Sequence, residues 1–220
     1  LKTETTVVGL VLLIKFEKVF SLDSFQLIGI MRFQAGTALR NAQLYERRAG
    51  VDRLVGLMNQ PAFRLRAQNE ITKARQDGRS VAIILTDIDD FKKINTAYGH
   101  PGGDVVLKGL ANILTQSVGE EGIVGRYGGE EFIIMLPGTS ESRAEQKAEE
   151  IRQAVENHDF TISDSVQAKA TISLGVAIFP QDGQEILDLI KKADQAAYLA
   201  KRMGKNRVYL YRTRKIRENL

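Results

Sequence analysis

Apolar and polar positions change rhythm several times along the chain, and each change predicts a new element. Residues 1–20 alternate and carry β-branched side chains (Thr5, Thr6, Val7, Val8, then Val11 to Ile14), which predicts one or two strands. Over residues 23–48 the apolar or small positions Ile28, Met31, Ala35, Ala38, Ala42 and Tyr45, continued by Ala49, recur in alternating steps of three and four. That rhythm predicts a long helix with Asp23 or Ser24 as N-cap. Its alanine-rich stripe suits close approach of a second helix; packing on the sheet of its own domain is the other reading. The charged stretch Arg47 to Asp52, with Gly50, reads as a junction. Beyond it, helical patterns cover about 60–77, 102–118, 140–157 and 184–203. Strand patterns cover about 81–88, 123–127, 131–136, 167–178 and 206–211. Gly78, Gly99, Gly138, Gly183 and Gly204 stand at borders, and the alternation predicts an α/β or α+β sandwich.

Composition adds constraints. Of 220 residues, 43% are hydrophobic and 26% charged, so the chain is globular and long enough to bury a core. It has no cysteine, which excludes disulfides, thiolate metal sites and cysteine nucleophiles. The longest apolar run, Val7 to Ile14, is well short of the ~20 residues a membrane helix needs. A soluble, cytoplasmic chain without a membrane partner is therefore expected. Residues 201–220 hold eight basic side chains against Glu218, a net of +7, while the rest of the chain sums to −3. The tail reads as a solvated end, and no nucleic-acid partner is expected.

Two segments carry chemistry. In Val81-Ala-Ile-Ile-Leu-Thr-Asp87-Ile-Asp89-Asp90 a buried apolar run ends at once in acids. Asp87 and Asp89 point to one face of such a strand, and oxygen-only ligands suit Mg²⁺ or Mn²⁺. Capping of the next turn by aspartate is the competing reading. In Ile123-Val-Gly-Arg126-Tyr127-Gly128-Gly129-Glu130-Glu131-Phe132 two strands flank a tight turn, which Gly-Gly signals because both positions tolerate positive φ. Asp87 and Glu130 on neighbouring strands would make a two-carboxylate metal site open to a nucleoside triphosphate.

Gly128-Gly129-Glu130-Glu131-Phe132 resembles the signature of the GGDEF-domain diguanylate cyclases, in its Glu variant. The likeness extends over about 52–212. It takes in Asp52 to Asn59; Asp87 to Asn95 with Gly99-His100 and Gly103-Asp104; Ser173-Leu-Gly-Val-Ala177; and Ala193-Asp194 through Tyr198, Lys201 and Gly204-Lys205-Asn206-Arg207. Ala35 to Glu46 resembles the last helix of a GAF sensory domain. Residues 1–48 are therefore expected to be a partial GAF-like tail and signalling helix, and 49–220 the GGDEF domain.

The resemblance implies an α+β fold: a five-stranded, mostly antiparallel sheet flanked by helices, similar to the adenylyl cyclase and polymerase palm. It implies condensation of two GTP into cyclic di-GMP and pyrophosphate with Mg²⁺ or Mn²⁺, by a homodimer under an upstream sensory domain. Asp87, Glu130 and the Ile88 carbonyl are then metal ligands, with Glu130, Glu131 and Arg126 catalytic. Asn95 and Asp104 match guanine-reading positions, and Phe91, Lys92, Lys201 and Lys205 match phosphate-binding ones. Each has a plainer reading: Asn95 as a cap, Asp104 as an N-cap, the two lysines as charges at a helix C-terminus, and His100 as a local turn contact. The chain departs from the family where an inhibitory Arg-x-x-Asp motif is usual, having Gly119-Glu120-Glu121-Gly122, so no inhibitory site is expected. A non-catalytic domain that binds GTP or cyclic di-GMP is the alternative. A mixed GMP–AMP synthase is disfavoured by Asp104.

Overall fold

The structure, a computed structural model, describes Gln34 and residues 50–212. The strands expected within 1–20, the long helix and the GAF-like tail lie outside the described residues, as do the last basic side chains Arg214, Lys215 and Arg217.

The domain begins with a turn over Asp52–Leu57 and a two-residue strand β1 (Met58–Asn59). Asn59 then caps α1 (Gln60–Asp77), accepting the Ala62 N–H at 3.0 Å, and Gly78 closes that helix in the left-handed conformation. Phe63, Ala67, Ile71 and Ala74, spaced by one turn, form its buried face. β2 (Val81–Ile88) is buried over nearly its whole length because helices cover both sides. α2 (Phe91–Val118) is interrupted at Gly99 (φ 69°, ψ 172°), two residues before Pro101. A short helix of sparse apolar content therefore precedes the one expected from residue 102. β3 (Ile123–Arg126), β4 (Glu131–Pro137), α3 (Glu141–Asn157), β5 (Phe160–Ser163), β6 (Val166–Ala168), β7 (Ile172–Phe179), α4 (Ile186–Arg202) and β8 (Val208–Leu210) follow.

The main sheet has the order β1-β3-β4-β2-β7-β8, antiparallel at its centre and parallel at both margins. The α+β class is as expected, but the sheet has six strands, with β5 and β6 forming a separate pair. β1 is too short for a hydrophobic pattern to announce. The single strand expected over 167–178 is two strands. Ala168 pairs with Phe160 in the small sheet, whereas Ile172 pairs with Ile88, so the chain changes partner between them.

Side chains alternate across β2 into two apolar layers. Ala82, Ile84 and Ile88 pack with residues of α2 and α3; Val81, Ile83 and Leu85 pack with α1 and α4. Gly175 on β7 allows α4 to lie almost on the sheet. A Cβ there would stand 2.0 Å from the Ala193 carbonyl oxygen and 2.2 Å from the Ala197 nitrogen. This close packing carries the end of α4 to the end of β2.

Candidate active site

Asp87 is the penultimate residue of β2, in register with Glu131 on β4 and Ser173 on β7. By alternation it faces the α4 side, and Lys201, in the last turn of α4, places its ammonium 2.5 Å from Asp87 Oδ2. Asp87 Oδ1 is buried without a hydrogen-bond partner. Asp89 meets a different fate. Its buried carboxylate accepts hydrogen bonds from Thr171 Oγ1 (2.8 Å), Ser173 Oγ (2.7 Å) and the Asn206 N–H (3.0 Å), so fixed donors already occupy both oxygens.

The signature turn closes where Tyr127 and Gly128 donate their N–H groups to the Glu131 carbonyl at 2.8 and 3.2 Å. Neither Gly128 nor Gly129 uses the positive φ that glycine tolerates. A Cβ on Gly128 would meet Glu131 Oε2 at 2.3 Å, so the bare backbone there lets the Glu131 carboxylate sit where it does; at Gly129 nothing lies within 4 Å. Arg126 spans the loop, donating to the carbonyls of Gly128 (3.2 Å) and Gly129 (2.6 Å) and pairing with Asp52 at 3.1 Å. Its guanidinium thus shapes the turn and ties it to the start of the domain.

Glu130 joins the two segments. Its carbonyl accepts the Ile88 N–H at 3.3 Å, and its side chain lines a cleft of about 420 Å³ with Lys92, Asn95, Thr96 and His100. The cleft thus brings together a metal, a guanine and a phosphate candidate, along with His100, which sequence reasoning set aside. Asn95 Oδ1 lies where a Cβ on Gly103 would stand, 2.0 Å away, so that glycine lets the two halves of α2 close on each other. Asp104 follows Gly103 and lies inside the second half of α2, which excludes the N-cap reading. Phe91 opens α2 with its ring in the core, behind Asp90 at φ 54°. Lys205 pairs with Asp90 at 2.7 Å.

The carboxylates are short of positive charge. Burial, then the field of Asp87, pushes Glu130 above the usual carboxylate range, and burial with Asp87 and Asp194 does the same to Glu131. Burial also raises Asp87, against the opposing hydrogen bond from Lys201. Asp90, bonded by Lys205, is held below its ordinary value. Among the described residues no three acids or histidines converge to hold an ion unaided. The site nevertheless fits Mg²⁺: it offers the unpartnered Asp87 Oδ1 beside Glu130, and this ion is usually held by one or two carboxylates completed by substrate phosphates.

At 119–122, where the family's inhibitory motif is usual, Glu121 pairs with Arg143 (3.6 Å) and Lys147 (3.7 Å) of α3. A Cβ on Gly122 would lie 2.4 Å from the Met135 carbonyl oxygen, so β4 leaves no room for a side chain there. Sequence reasoning gave no role to the Asp52–Arg126 pair or to the bonds between Asn206 and Arg152. Both join residues far apart in the chain, and no local pattern announces them.

A family profile described as "Diguanylate cyclase, GGDEF domain" matches residues 49–207. The chain belongs to this family. Diguanylate cyclase A of Treponema denticola is 39% identical over 140 residues, covering 64% of this chain and 38% of that protein. Diguanylate cyclase DosC of Escherichia coli K12 is 35% identical over 163 residues, covering 74% and 35%. The chain spans a little over a third of the length of these relatives. Among solved structures, the GGDEF domain of DgcB from Caulobacter crescentus in complex with c-di-GMP superposes with a TM-score of 0.69 at 31% identity, covering 74% of this chain and 93% of that one. The active GGEEF domain of a diguanylate cyclase from Vibrio cholerae gives 0.66 at 34%, covering 70% and 97%.

Proposed function

We propose that the chain is the catalytic portion of a diguanylate cyclase that condenses two GTP into cyclic di-GMP and two pyrophosphates. The observation that carries this reading is the unpartnered Asp87 oxygen on the strand that flanks Glu130, at a cleft shared with Asn95 and Lys92. The family match and the names of the relatives support it.

In this reading Asp104 accepts hydrogen bonds from the N–H groups of the guanine edge, and Asn95 bonds to the same edge. Lys92, Lys201, Lys205 and the N–H groups that open α2 at Phe91 take the β- and γ-phosphates. Asp87, Glu130 and the Ile88 carbonyl hold Mg²⁺, with Glu131 alongside. Bound Mg²⁺ supplies charge neutralisation on the triphosphate and lowers the pKa of the attacking hydroxyl. Arg126 keeps the signature turn in shape. The 3′-hydroxyl of one GTP attacks the α-phosphorus of the other and pyrophosphate departs; each site holds one GTP, so two protomers meet face to face. Residues 23–48, with their three-four stripe, are read as the helix through which an upstream sensor controls that encounter. A solved structure described as the coiled coil and GGDEF domain of DgcB from Caulobacter crescentus, covering 83% of this chain, supports this. Product inhibition at 119–122 is not part of the scheme.

Incubation with GTP and Mg²⁺, with the product identified by mass, tests the reading. Wild type releases pyrophosphate and forms the cyclic dinucleotide; Glu130→Ala loses at least about 100-fold in rate, in line with losing a group that stabilises transition-state charge. Binding of GTP by wild type without pyrophosphate release would leave only an effector domain.

A further inference from the structure

Three non-glycine residues have positive φ among the described residues, Asp90 (54°), Lys205 (61°) and Asn206 (46°), and contacts gather them just past the end of β2: Lys205 on Asp90, Asn206 on Asp89. Asp and Asn tolerate that conformation; lysine has no local hydrogen bond with which to compensate. Such strain persists only where the surroundings over-determine it. Here they do so from two sides. The buried Asp89 carboxylate, already anchored by Thr171 and Ser173 at the start of β7, accepts the Asn206 N–H at 3.0 Å. Arg152 of α3 donates to Asn206 Oδ1 at 2.8 Å, and Asn206 Nδ2 donates to Glu156 Oε1 at 2.6 Å. Arg152 is itself braced by Glu149 (2.7 Å) and Glu156 (2.7 Å). Lys205, one residue earlier, donates its N–H to Ala200 at the end of α4 and sets its ammonium on Asp90. Neither Asp89 nor Arg152 lines the cleft.

We propose that Asp89 and Arg152 are positioning residues: together they clamp Asn206 in its left-handed conformation and so aim Lys205, with Lys201 one turn away, at the triphosphate. This rests on the reading of both lysines as phosphate-binding. The clamp joins three elements (the end of β2, the start of β7 and α3) to one turn. Releasing either jaw lets residues 204–207 relax toward ordinary φ, which moves the Lys205 side chain without touching the guanine end of the cleft.

The test measures binding of a GTP analogue with a methylene between the α- and β-phosphorus, and of GMP, to the full chain with Mg²⁺ by calorimetry. Wild type binds the analogue more tightly than GMP. Arg152→Ala lowers that ratio about 5-fold, the usual scale for a residue acting through a connected network, with GMP affinity and stoichiometry unchanged. Arg152→Lys, which keeps a donor for Asn206, recovers part of the ratio, and Asp89→Ala reproduces the loss. Arg152→Ala that lowers stoichiometry for both ligands equally, with the ratio intact, shows a merely structural role and overturns the proposal. An unchanged ratio at full stoichiometry also overturns it while leaving the phosphate reading standing. A wild type with no preference for the triphosphate overturns both.

Discussion

At the scale of the residue, Glu131 illustrates how the site stores unfavourable charge. Burial and the nearby Asp87 and Asp194 raise its pKa, so the native protein holds this proton more tightly than the unfolded chain does. Its effect on stability is unfavourable once the pH rises through its native range, and vanishes below the unfolded value. Glu131→Gln is therefore expected to raise the apo melting temperature at neutral pH, with the gain shrinking as pH falls into the carboxylate range. A melting series of both proteins against pH checks this; a gain independent of pH would mean that repulsion is not its source. The two signature glycines make a second, paired prediction. Gly129→Ala meets no atom and leaves stability within about 0.5 kcal/mol, so any loss of turnover reports a ligand approaching that backbone. Gly128→Ala pushes the Glu131 carboxylate aside, and is expected to lower turnover even where the fold survives.

At the scale of the element, the acid-ended strand Val81–Ile88 was legible because burial on both faces forces a continuous apolar run, and any carboxylate at its end stands out. Helices α1, α3 and α4 were legible for the same kind of reason: each buries one stripe at helical spacing. The signature turn was legible as a turn but not in its detail, since neither glycine uses positive φ and only Gly128 has a close neighbour, the Glu131 carboxylate. What escaped were the pieces too short to carry a pattern (β1, the first turns of α2) and the contacts that register creates, Asp89 with Thr171 and Ser173 above all. Gly175 shows how an element delivers chemistry. Gly175→Ala would drive α4 from β7 through three backbone contacts, at a cost of about 1–3 kcal/mol, and would draw Lys201 away from Asp87. Both a lowered denaturation midpoint and a raised KM for GTP are expected. A raised KM without the stability loss would assign the effect to something other than packing.

At the scale of the whole molecule, the turn at 119–122 and the cleft at Glu130 lie at opposite ends of β3 and the signature hairpin, so feedback and chemistry are separable questions. The usual inhibitory motif needs an arginine at 119 and an aspartate at 122. Here Gly119 has φ 53°, Gly122 abuts the Met135 carbonyl, and Glu121 is already engaged by Arg143 and Lys147. Restoring the motif as Gly119→Arg with Gly122→Asp therefore has to displace β4 backbone, which cannot yield as a flexible side chain would. The double variant is expected to lose stability by about 1–3 kcal/mol, the cost of overpacking, and to gain no inhibition by added cyclic di-GMP. Progress curves with and without added product, read beside a denaturant midpoint, decide it. Strong inhibition at unchanged stability would mean that this turn can open to admit side chains, and that the usual motif is missing here for want of two residues and not for want of room.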